Sequence, residues 1–270
     1  MSFGIREPLS AATALLLSAA SVVVMLLIWV AMTSGATVEA RWISPLILPS
    51  PLEVLGSFGP LHWQRGLTTS IVYSLARVSA GFLLAALVAI PLGVAMGSFT
   101  QVRAFFSPIS VIGGYVPIAA LVPITVSWFG LGEEQKVAFL FIASFFLLLP
   151  LVLKSIGDVD EIYLQTGYTL GATRWQTIRH VLLPVAAADI FDHLRTLYGV
   201  GWGYIILAEL IAAEHGLGYM IQISQRRSQT EEVFAILLVI VVIAILIDQI
   251  FRMAGDWLFP YRRRPEVTAS

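Results

Sequence analysis

The sequence predicts an all-α, polytopic membrane protein, and three observations carry that prediction. Of its 270 residues, 58% are hydrophobic and 12% charged, with a mean hydropathy of +0.86. A soluble domain carries roughly 25% Asp, Glu, Lys and Arg. The apolar residues lie in long blocks, and a bilayer core takes about 20 of them at 1.5 Å each. The last block, FAILLVIVVIAILI at 234–247, holds no charge, Gly or Pro. The chain has no cysteine, which excludes disulfides, thiolate metal sites and Cys nucleophiles. A net charge of −1 gives no footprint for nucleic acid.

About six spans are expected. The first covers 8–38, charge-free between Glu7 and Glu39. Its apolar stretch is longer than the roughly 7–15 residues of a signal-peptide core, so an uncleaved span is the expectation. The second covers 67–96 and is interrupted by Arg77. The third, 104–131, is charge-free but contains Pro108, Pro117 and Pro123. The fourth covers 137–153, the fifth 181–213 with several ionisable residues, and the sixth 233–257.

Loop Lys and Arg set the orientation. With the N-terminus inside, the cytoplasmic ends hold Arg6, Arg103, Lys154, Arg174, Arg179, Arg252 and Arg262 to Arg264, nine in all. The outer side then holds Arg41, Arg65, Lys136, Arg226 and Arg227, five in all. Trp257, Phe259 and Tyr261 before the three arginines read as an interfacial belt, which strengthens the expectation of cytoplasmic termini.

Between spans four and five, residues 154–180 are polar but not irregular. Ile162, Leu164, Tyr168, Leu170, Trp175, Ile178 and Val181 recur at helical spacing. Gly167 and Gly171 interrupt them, so two short helices are expected, with a turn near Gly171 and a cap at Thr173. An amphipathic helix at the membrane surface is the simpler explanation.

The run QTGYTLGATRWQTIRHVLLP at 165–184 resembles the EAA loop of ABC importer permeases, with Gly171, Val181, Leu183 and Pro184 at that pattern's spacing. Gln165, Thr166 and Gly167 replace its Glu-Ala-Ala, losing the acidic contact but keeping a small residue. Further segments are similar to the nitrate, sulfonate and taurine branch. These are SLARVSAGF (74–82) with IPLGVAMG (90–97), PIAALVP (117–123) with WFGLGE (128–133), and AELIAAEHGLGY (208–219).

The resemblance implies a type I importer permease. Residues 1–66 would form the first span and outer loop, and 67–260 a core of five spans. Residues 155–184 would be a coupling helix and 261–270 a basic cytoplasmic tail. Gln165, Thr166, Gly167, Gly171, Ala172, Arg174, Trp175, Val181, Leu183 and Pro184 would meet a cytoplasmic ATPase. It also implies two ATPase subunits, a second permease copy as a homodimer, and a periplasmic or lipid-anchored solute-binding protein. Its setting would be a bacterial inner membrane. The chain itself has no GxxxxGK[ST] loop, so ATP and Mg are expected in the partner subunits. No cofactor, metal or catalytic residue is expected in this chain.

Ionisable groups inside a membrane are expensive and need a partner or a cavity. Arg77 either attracts an anionic cargo or locks two helices by an ion pair with Glu209; the second is favoured. Asp192 and Arg195 share a helix face and are expected to pair, with Asp248 near Arg252 in a similar network. Asp192 with His193 also has the composition of a proton relay. Tyr115, Pro117, Trp128, Trp202, Tyr204 and Glu209 are candidates for the translocation pathway or its gate. Irregular backbone is expected around Tyr115, beside Gly113, Gly114 and Pro117.

The function expected is the membrane permease of an ATP-driven importer. Its cargo is a small solute, an anion such as nitrate, bicarbonate, sulfonate or taurine. An ion-gradient-driven secondary transporter is the alternative, though no internal repeat supports it. An intramembrane enzyme is disfavoured by the absence of HExxH and of a base placed for Ser110.

Overall fold

The computed structural model describes residues 10–35, 37–211 and 213–262. Arg6 and residues 263–270 of the expected tail lie outside the described residues. Those described contain eleven α-helices and no strand. The chain divides into two compact units, 1–65 with 223–237 and 66–222 with 238–270. The stretch 223–237, assigned to the core by the sequence reading, groups with the N-terminal residues.

In the first unit, α1 (Ala11–Thr33) starts where the Ser10 hydroxyl accepts the Thr13 N–H at 3.2 Å. It carries no charge and exposes apolar side chains along nearly its whole length, as a helix facing lipid does. The Trp29 indole N–H donates to the Pro49 carbonyl at 2.9 Å. A second helix, α2 (Pro51–Trp63), occupies part of the expected outer loop. Ser50 and Glu53 form a capping box, and Pro51 sits where a missing N–H is harmless. Arg41 forks onto Glu53 at 2.9 and 3.1 Å. The guanidinium hydrogen bonds hold the Glu53 carboxyl down at about 2. Val54, Ser57 and Leu61 form the buried face of α2. Arg65 bonds to Glu232 and to Gln229.

The second unit is built on α3 (Leu67–Ser98), α6 (Glu133–Gly157) and α9 (Leu183–Glu209). Gly81, Gly93 and Gly97 lie on one i±4n ridge of α3. A Cβ at Gly81 would stand 2.5 Å from the Leu140 Cβ, and one at Gly93 2.6 Å from a Val152 methyl. One at Gly97 would collide with Ile156. Only glycine lets the two backbones meet, and close van der Waals contact is what holds helices together in lipid.

The third expected span is not straight. After α4 (Thr100–Tyr115) the chain turns extended at Val116, as a residue before proline must, and resumes through a 3-10 turn into α5 (Leu121–Phe129). The two helices meet at 89°. Among the described residues, four helices are long and apolar enough to cross a membrane: α1, α3, α6 and α11 (Thr230–Leu258). The bent pair makes a fifth if it is one span. The 27-residue α9 is long enough, but Asp189, Asp192, His193 and Arg195 lower its hydropathy.

Candidate functional site

Residues 158–184 adopt a fully capped local structure. The Asp160 carboxylate accepts the Ile162 N–H at 3.0 Å and starts α7 (Glu161–Thr169). Gly171 ends it at φ +79°. There the Ala172 N–H donates to the Gly167 carbonyl at 3.0 Å and the Gly171 N–H to the Tyr168 carbonyl at 3.0 Å. That pair is a Schellman motif, and its left-handed residue is the one glycine fills without strain. Thr173 then caps α8 (Arg174–Thr177): its hydroxyl accepts the Gln176 N–H, and its own N–H donates to Gln176 Oε1 at 2.8 Å.

A π turn over Ile178–Leu182 joins α8 to α9 without a break. Its cause is Pro184, which has no N–H for the His180 carbonyl and whose ring would press on it; a wider turn makes room. The Leu183 N–H reaches back to the Ile178 carbonyl.

The outer side of this segment is apolar and uncovered. Leu170 is 82% exposed, Trp175 66%, Ile162 60% and Tyr163 51%. Gln165, Thr166 and Arg174 are exposed and Ala172 is half-buried. Gly167 is buried against Val181, and a Cβ there would lie at an ordinary 3.7 Å. Val181 and Leu183 are half-buried, and the exposed Pro184 accepts the Tyr261 hydroxyl at 3.2 Å through its carbonyl.

At the other end of α9, Arg77 and Glu209 come together as expected, Nη1 to Oε1 at 2.7 Å. Arg77 also forks onto Glu133 at 2.5 Å through both Nε and Nη2, donates to the His215 carbonyl at 2.7 Å, and lies 5.4 Å from the Tyr73 ring. Glu209 is fully buried and also accepts from the Ser74 hydroxyl at 2.8 Å and the Gly218 N–H at 2.8 Å. Ser74 in turn accepts the Leu217 N–H at 2.9 Å. Gly216, at φ +127°, has no room for a Cβ beside the Glu209 carboxylate. The AE…GLGY element thus folds the turn after α9 and the first residues of α10 (Leu217–Arg226) around one carboxylate. Two acids neutralise Arg77, which removes the ground it offered for an anionic cargo.

The remaining candidates scatter. Arg195 pairs with Asp248 at 2.5 and 2.8 Å, and Asp248 with Arg252 at 3.2 Å. This fork between α9 and α11 satisfies both carboxylate oxygens of Asp248, and Asp192, the expected partner, adds its own electrostatic attraction to Arg195. Lys136, counted among outer loop cations, is 2% exposed and donates to the Leu131 and Gly132 carbonyls. Tyr115, Pro117 and Trp128 are exposed around the α4–α5 bend, Tyr204 is half-buried, and Trp202 sits in the packed interior.

A family model described as binding-protein-dependent transport system inner membrane component matches residues 89–264. The taurine transport system permease protein TauC of Escherichia coli is 34% identical over 95% of this chain and 92% of its own length. The nitrate import permease protein NrtB of Synechocystis is 26% identical over 91% of this chain and 90% of its own. Among solved structures, an inward-facing MetNI methionine ABC transporter chain superposes with a TM-score of 0.64 at 19% identity. The match covers 76% of this chain and 99% of that one.

Proposed function

The chain belongs to the binding-protein-dependent transport system inner membrane component family, as an ABC importer permease of the nitrate, sulfonate and taurine type, and on that premise we propose how it works. It forms the pathway of an ATP-driven importer as one of two identical copies in a bacterial inner membrane, with both termini cytoplasmic. Two ATPase subunits, which hold ATP and Mg, bind the 158–184 segment, and a separate binding protein delivers the cargo.

The observation that carries this is the uncovered apolar side of α7 and α8, on a segment whose every turn is capped. A short, fixed projection has little conformational entropy left to lose when a partner covers it. Because α8 runs through the π turn into α9, displacement of α8 is carried along a helix of 27 residues, about 40 Å. At its far end stands Glu209, bonded to α3 and to the Gly218 N–H at the start of the helix Leu217–Arg226. Closure of the ATPase pair would move α8, and α9 would carry that motion to the buried ion pair.

The cargo proposed is a small solute. Taurine is the first to test, because the 34% relative matches nearly end to end, then other sulfonates, nitrate and bicarbonate. Replacing Gly171 with leucine forces the left-handed turn into strain of about 1–2 kcal/mol. The expected result is an inserted chain that no longer holds its ATPase. Uptake in vesicles that follows a proton gradient without ATP would favour the secondary-carrier alternative.

A further inference from the structure

The α2 helix is apolar on two opposite sides, and only one is covered. Val54, Ser57 and Leu61 are buried, whereas Leu52, Leu55 and Trp63 are exposed by 79%, 62% and 83%. At about 100° per residue the second stripe, which includes Gly59, lies roughly half a turn from the first. It carries no Asp, Glu, Lys or Arg. In the segment leading into α2, Trp42 and Ile47 are exposed by 88% and 71%. Water is a poor surrounding for so much contiguous apolar surface.

We infer that α2 is a monotopic helix whose Leu52–Leu55–Trp63 stripe lies in the headgroup region of the bilayer. Connectivity places it there. The segment 34–66 joins two helices that are each long and apolar enough to cross a membrane, so it starts and ends at one surface. Trp63 is four residues before Leu67, the first residue of α3, and four residues reach no more than about 14 Å.

Tryptophan concentrates at that depth, where an apolar ring with a polar N–H fits. The charges of the region do not prepare the stripe for a soluble protein: Arg41 is spent on Glu53, and Arg65 on Glu232. An amphipathic helix in the interface binds through its buried apolar area, and this one is tethered as well.

The chain has no cysteine, so single-cysteine variants label at one site. The full chain is placed in nanodiscs of phosphatidylethanolamine and phosphatidylglycerol, with a nitroxide at Leu52→Cys, Leu55→Cys or Gln64→Cys. The first two labels should meet dissolved oxygen several-fold more readily than a water-soluble nickel chelate, and the label at 64 the reverse. Equal nickel access at all three overturns the inference. So does nickel access at 52 and 55 that is lost only when the solute-binding protein is added, because the stripe would then face a protein.

A gentler pair of changes checks the same point without labels. With lipids brominated near the carbonyls, Trp42→Phe with Trp63→Phe should remove a distinct part of the quenchable tryptophan emission. An unchanged quenchable fraction contradicts the placement.

Discussion

The two ends of α9 are built in opposite ways. Around Glu209 every polar group finds its partner inside the chain, with two carboxylates, a guanidinium, a hydroxyl and two backbone N–H groups closing on one another. At 158–184 the turns are equally well capped, but Ile162, Tyr163, Leu170 and Trp175 are exposed while Ile178 and Leu182 pack inward. The first region is complete in itself. The second is ordered and unfinished, which is how a surface that awaits another subunit differs from a core. Substitutions should therefore separate stability from assembly.

The largest effect is expected at Glu209. Glu209→Leu leaves the Gly218 N–H unpaired and takes from Arg77 and Ser74 their fully buried acidic partner, and breaking one side of a buried pair costs about 3–5 kcal/mol. It should lower the Tm of the detergent-purified chain more than Glu133→Gln does, because the Glu133 side chain is 57% exposed. Next comes Gly216→Ala, whose methyl group meets the Glu209 carboxylate. Overpacking of that kind costs about 1–3 kcal/mol, read as a smaller drop in the same melting curve.

Leu170→Asp and Trp175→Asp should behave differently. Both side chains are exposed, so stability should stay within about 0.5 kcal/mol while ATPase co-purification is lost. If both variants keep the ATPase, the contrast between the two regions collapses.

The smallest effect is a pH response confined to α2. Glu53 drops from an ordinary 4.5 to about 2 beside Arg41. Its contribution is complete above the unfolded value and fades as pH falls from 4.5 through about 2. A nitroxide at Leu55→Cys should gain mobility over that window, and Glu53→Gln should abolish the transition.

Local chemistry was legible in the sequence where one residue decides a backbone shape. Gly171, Thr173 and Pro184 announce a turn, a cap and a helix junction, and each is found doing that. The bend after Tyr115 follows from Gly113, Gly114 and Pro117 in the same way. The α2 helix was equally legible, since Ser50-Pro51-Leu52-Glu53 is a capping box with proline at its first position, yet it reads as loop when hydropathy alone is followed.

Partners distant in the chain were harder. Glu209, 132 residues from Arg77, stands out as an acid inside an apolar span, whereas Glu133, only 56 away, sits at a helix start where an acid is already explained by the helix dipole. Asp192 is the acid closest to Arg195 in the chain, whereas Asp248, which takes the two-pronged hydrogen bond, lies 53 residues away. Pairing across helices depends on their packing, which periodicity does not encode.

The central claim, that 158–184 couples this chain to an ATPase, is tested most directly by purifying the full-length chain and its Gly171→Leu variant with the cognate ATPase subunit from membranes. The expected result is two inserted chains, of which only the unaltered one retains the ATPase and supports ATP-driven uptake. An unaltered chain that purifies without any ATPase, or a variant with undiminished ATP-driven uptake, contradicts the claim.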